Sequence, residues 1–154
     1  MVRALSVLAV IALDASVALA QQDPIKERKA LMKNNADQAK VGAAMVKGEE
    51  PFDLAKVKKI FAAFENTAAK APALFPEHST DQPTADDSYS ASPEIWQNMD
   101  DFKAKLAKFG SDAKAASTSV KDLDSFKAAF NNIGKNDCGG CHEKYRLKNG
   151  SAQR

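Results

Sequence analysis

Apolar residues return at intervals of three and four along four separate stretches of this chain, and no stretch alternates convincingly with the period of a strand. Leu54, Val57, Ile60, Phe61, Phe64 and Ala68 share one side of a helix read from about 54 to 70, with Asp53 placed to cap it. Ile95, Trp96, Met99, Phe102, Leu106, Phe109 and Ala113 form a stripe behind Ser92-Pro93-Glu94, which offers a hydroxyl cap, a first-turn proline and an acid at the positive helix end. A helix from about 24 to 45 follows Asp23 and Pro24 and carries Ile25, Leu31, Met32, Ala36, Ala39 and Ala43, a surface of mostly small residues. A fourth, from about 123 to 147 behind Asp122, buries Phe126, Phe130, Ile133 and Tyr145. Such stripes are buried only against one another, so the expected fold is all-α, an antiparallel four-helix bundle. The connection from about 71 to 91 holds Pro72, Pro76 and Pro83 and is expected to be irregular.

The first twenty residues stand apart from that domain. Met1-Val2-Arg3 supplies a positive start, Ala4 to Leu13 an apolar run, and Ala18-Leu19-Ala20 a small-x-small cleavage pattern. These are the three regions of a secretory signal peptide. Asp14 interrupts the run, which is too short to anchor the chain across a bilayer. Cleavage after Ala20 leaves residues 21–154 as one exported, periplasmic domain; an uncleaved tether is the alternative. No other segment is apolar enough to cross a membrane. The net charge of +2 is too weak a bias to argue for nucleic acid.

Both cysteines lie in Cys138-Gly139-Gly140-Cys141-His142. One short loop is no disulfide framework. Covalent haem attachment needs two thiols for the two vinyl groups and a histidine able to reach iron from one face. On a helix stepping about 100° per residue, Cys138, Cys141 and His142 fall within roughly a 100° arc. Gly139 and Gly140 leave room for a macrocycle edge, and CxxCH is the haem c attachment pattern. His142 is then the proximal iron ligand. Three other readings stand beside it: a thioredoxin-like dithiol, which wants a βαβ setting; a zinc site, which wants four ligands; and a chance match in a structural helix. Arg146, one turn on, is either a partner for a haem propionate or a solvated arginine. Tyr145 either packs on the haem or is a plain core tyrosine. No nucleophile–base–orienter set is visible, so the chain reads as no enzyme.

With its haem motif near the C-terminus of an apparent four-helix chain, the sequence resembles class II c-type cytochromes, the cytochrome c′ family. Arg28 and Met32, Ser92-Pro93-Glu94-Ile95-Trp96, and Cys138-Gly139-Gly140-Cys141-His142 with Arg146 carry the resemblance. It implies that Met32 lies over the distal haem face and that Arg28 belongs to the cofactor site. In most members that distal residue leaves iron five-coordinate; in a low-spin branch, cytochrome c-556, a methionine there ligates. Leu31-Met32-Lys33, Gln21-Gln22-Asp23 and Leu74-Phe75-Pro76 look like that branch. Relatives occur as monomers and as dimers through their first two helices.

The sixth ligand separates two functions. The candidates are Met32, Met45, Met99 and His78. Met45 is about 220° round the helix from Met32, so both cannot face the haem. Met99 fits a packing stripe, and His78 falls in the loop. With His142 and Met32 both ligating, no substrate reaches iron and the protein is a one-electron carrier for redox partner proteins. Lys135, Lys144, Arg146 and Lys148 would then steer an acidic partner, or act as ordinary solubilising charges. Without Met32 ligation, an open iron site binds NO or CO. A thiol–disulfide enzyme remains only if haem is absent.

Overall fold

The computed structural model describes residues 23–77, 79–81 and 88–149. The expected signal peptide, His78 and residues 82–87 of the 71–91 connection lie outside the described residues. Helix α1 runs Pro24–Lys47, with Asp23 accepting from the Ile25 and Lys26 amides. Gly48 closes it at φ 78°, in the left-handed region that glycine enters without strain. Helix α2, Leu54–Lys70, has the expected bounds, because the Asp53 carboxylate takes the Ala55 and Lys56 amides. A single 3-10 turn, Ala71–Leu74, follows.

The third stripe is split. A short α3, Glu94–Gln97, ends at Asn98, whose φ of −130° and ψ of 44° break the helix before α4 resumes at Met99–Ser119. The fourth helix is a composite: α5 (Leu123–Asn132), a π-helical segment (Ile133–Gly139) and α6 (Gly140–Tyr145). It stops short of the expected 147. Arg146–Lys148 forms β2 instead, paired antiparallel with β1, Tyr89–Ala91. The connection is therefore irregular only in part.

Helices α1, α2, α4 and the composite helix make the antiparallel four-helix bundle, with α2 packed on α4 and α1. The core lies in two clusters. One gathers Val57, Ile60, Phe61, Phe64, Phe109, Phe126 and Ile133, with Cys138 packed against it. The other gathers Leu31, Leu74, Phe75, Ile95, Phe102, Leu106 and Tyr145, with Cys141 packed against it. Each fully buried aromatic or aliphatic side chain contributes about 1.5–3 kcal/mol. The small-residue face of α1 permits close approach: a Cβ on Gly42 would stand 2.5 Å from the Phe130 ring. No helix among the described residues is long and apolar enough to cross a membrane.

Candidate cofactor site

The CxxCH motif straddles a change of helical winding. Cys138 and Gly139 end the π segment; Gly140, Cys141 and His142 open α6. The uniform 100° step assumed for the motif thus holds only from Gly140 onward. Widened turns of this kind recur at functional sites. Gly140 faces open space, since nothing lies within 4 Å of a Cβ built there.

The motif lines a cavity of ≈ 460 Å³, within the usual range for cofactor sites. Met32 reaches it from α1, Phe64 from α2, Phe102 and Phe109 from α4, and Cys138, Cys141 and His142 from the composite helix. Both sulfurs border this space, one from each core cluster. Among the described residues no three His, Cys, Asp or Glu side chains converge as an isolated metal ion would require. The donors are instead spread around an apolar space, which suits a planar macrocycle gripped at its edge.

The electrostatics separate the remaining readings. Burial pushes the Cys138 thiol up to about 11 and raises Cys141 as well. A disulfide-exchange enzyme needs the opposite, a depressed thiol beside a positive group. Burial first, and then the Arg146 charge, holds His142 below its usual range. The neutral imidazole is the form that donates a lone pair to a metal.

Arg28 is buried and committed. Its guanidinium donates to Leu74 O at 3.1 Å, to Ser79 Oγ at 3.1 Å, to Ser79 O at 2.6 Å and to Asp81 Oδ1. It stacks 4.8 Å over Phe75, and its Nε, also buried, meets no acceptor among the described residues. Arg28 thus lines the cavity while holding Leu74, Ser79 and Asp81, a strap from which Phe75 and Asp81 border the same space. Tyr145 also lines the cavity, edge-on to Phe102, and its hydroxyl donates to Asp101 Oδ2 at 2.5 Å. Arg146 stands at the cavity wall with its guanidinium 4.1 Å over the Tyr89 ring.

Met45 is fully buried in the first cluster, and Met99 packs against the second. Neither borders the cavity, so among the described residues Met32 is the thioether that does. Among the basic residues, Lys144 pairs with Asp101 at 3.1 Å, whereas Lys135 is exposed. Three further residues join the wall through the fold rather than through a motif. Asp81 holds Arg28; Asn35, bonded to the buried Thr67 hydroxyl at 2.9 Å, stands one turn beyond Met32; and Asp137 sits buried beside Cys138. The helical offset from Met32 to Asn35 is the one local signal among them.

Comparison with known proteins agrees with this geometry. The family model described as Cytochrome C′ matches residues 23–146. A cytochrome c-556 of Rhodopseudomonas palustris is 39% identical over 150 residues, spanning 97% of this chain and 100% of the relative. A cytochrome c′ of the same organism is 38% identical over 146 residues, spanning 95% and 97%. The solved cytochrome c′ from Rhodopseudomonas palustris superposes with a TM-score of 0.74 at 38% identity, covering 84% of this chain and 99% of that one.

Proposed function

Because the chain belongs to the cytochrome c′ family and carries haem c through Cys138 and Cys141, we propose that it is a periplasmic one-electron carrier with His142 and Met32 as axial ligands. When bound, the haem supplies a one-electron iron couple. The observation that carries the reading is that Met32, from α1, and His142, from the composite helix, line the same cavity.

Each residue then has a task set by its surroundings. Neutral His142 offers its ring nitrogen. Met32 is half-buried, and its thioether favours the ferrous state, which raises the potential. With both axial positions filled, small ligands are excluded. The apolar walls keep water from the centre, and the strap held by Arg28 borders one side. Export follows from the leader read in residues 1–20. The partner is a redox protein with an acidic face, drawn by the basic residues around the cavity mouth.

An absorption spectrum of the purified holoprotein tests the ligand set. The expected oxidised spectrum is low-spin with a sulfur-to-iron charge-transfer band, lost in Met32→Ala. Prompt CO binding by the unaltered reduced protein would show that Met32 is a distal lid and that the site binds small gases instead.

A further inference from the structure

Asp137 immediately precedes the haem-bearing Cys138, and its side chain is 1% exposed. Its Oδ1 accepts from Lys108 Nζ at 2.7 Å. Its Oδ2 is buried, and no donor reaches it among the described residues. The side chain belongs to the wall of the haem cavity. A carboxylate in such a place is costly unless a cation offsets it.

That offset is shared. Lys108 Nζ also lies 2.6 Å from Asp112 Oδ2, so two carboxylates divide one ammonium. The groups facing Asp137 are Lys108 and Asp112 from α4 and, on its own segment, the Cys138 sulfur. Burial pushes the Asp137 carboxyl up; Lys108 draws it back, and Asp112 adds to the rise. The Lys108 side chain is 57% exposed and Asp112 31%, so the cluster runs from the cavity wall to water. The polar route from water leads through Lys108 to Asp137 Oδ1, and Oδ2 of the same carboxylate has no partner among the described residues.

We propose that Asp137 takes up a proton when the haem is reduced, so that the Asp137–Lys108–Asp112 cluster couples electron transfer to pH. One electron from the redox partner reduces ferric iron to ferrous. One proton leaves a hydronium ion of the surrounding water, whose O–H bond breaks to give water, and forms an O–H bond at Asp137 Oδ2; oxidation returns both. Reduction removes one positive charge beside the carboxylate, which raises its affinity for a proton. By linkage the potential falls as pH rises through the window between the two carboxyl affinities and is level outside it. The inference rests on the haem reading but not on Met32.

The test is the midpoint potential of the purified holoprotein across pH for the unaltered chain, Asp137→Asn and Lys108→Met. Asp137→Asn is expected to lose the sloping segment and to keep a higher potential above it, because one negative charge is gone. Lys108→Met is expected to move the segment to higher pH, because the carboxylate loses its cation. Propionate titration is common to all three and cancels in the comparison. A reduced-minus-oxidised infrared spectrum of the unaltered protein needs no variant and is expected to gain a protonated-carboxyl band. An unchanged slope in Asp137→Asn, an unmoved segment in Lys108→Met, or no such band on reduction would overturn the inference. Failure of Met32 ligation would appear separately, in the visible spectrum, and would leave these differences intact.

Discussion

Arg28→Leu strikes the strap beside the cavity. The Arg28 and Asp81 side chains are each 4% exposed, and the guanidinium also holds Ser79 and Leu74. Leucine keeps an apolar body beside Phe75 but leaves the Asp81 carboxylate with the Ala91 amide, 2.9 Å from Oδ2. Removing one partner of a buried pair costs about 3–5 kcal/mol. The freed loop carbonyls can turn to water, so nothing further is assigned to them. At roughly 3–4 °C per kcal/mol for a domain of this size, the melting temperature falls by roughly 10–20 °C. Thermal unfolding of the holoprotein, followed by circular dichroism, reads that shift. The double variant Arg28→Leu/Asp81→Leu is expected to lose less than Arg28→Leu alone, because it leaves no unpaired charge. Single losses below about 1 kcal/mol, as an exposed pair gives, or additive losses in the double variant, would refute the buried clamp.

Three other outcomes follow from the packing and the charges. Gly42→Ala places a methyl 2.5 Å from the Phe130 ring and is expected to cost about 1–3 kcal/mol, read as a lower denaturant midpoint at unchanged slope. The Tyr145 hydroxyl, and after it Lys144, holds the Asp101 carboxyl below its usual range. That contribution is full above the ordinary carboxylate range and is lost as pH falls through the lowered value, so the melting gap between the unaltered protein and Tyr145→Phe should narrow in acid. Cys138→Ala/Cys141→Ala should release its haem on denaturing electrophoresis, whereas the unaltered chain keeps the stain.

What was legible in the sequence was whatever depends on neighbours along the chain. The bounds of α2 could be read because one carboxylate caps its first turn and one apolar stripe fills its length. The motif was legible because its chemistry sits in five consecutive residues. The break at Asn98 was not, because a continuous stripe passes through it; the Asn98 amide turning back to Glu94 O marks the stop. The β1–β2 ribbon joins residues as distant as Tyr89 and Lys148, and three-residue strands leave no alternation to detect. Asp137 reads as one more surface acid until Lys108, 29 positions away, is placed against it. Arg28 gains its role from residues 46 to 53 positions distant.

The uneven distribution of side-chain size explains why such a chain needs its cofactor. Helices α2 and α4 bring Phe64, Phe102 and Phe109 to the cavity, while α1 beyond Met32 offers it only Asn35, Ala36 and Ala39. The two clusters therefore meet imperfectly and leave the ≈ 460 Å³ cavity between them. At about 24 cal/mol per Å³, a dry void of that size would cost on the order of 11 kcal/mol, comparable to the whole stability of an ordinary domain. Water entering from the open side lowers that cost but loses apolar contact. A macrocycle tied through Cys138 and Cys141 removes the void and cannot leave, so the filling is built into the folded state. The chain without haem is accordingly expected to keep helical far-UV dichroism while losing a sharp thermal transition. A haem-free chain that unfolded as cooperatively as the holoprotein would mean that the clusters close on each other unaided.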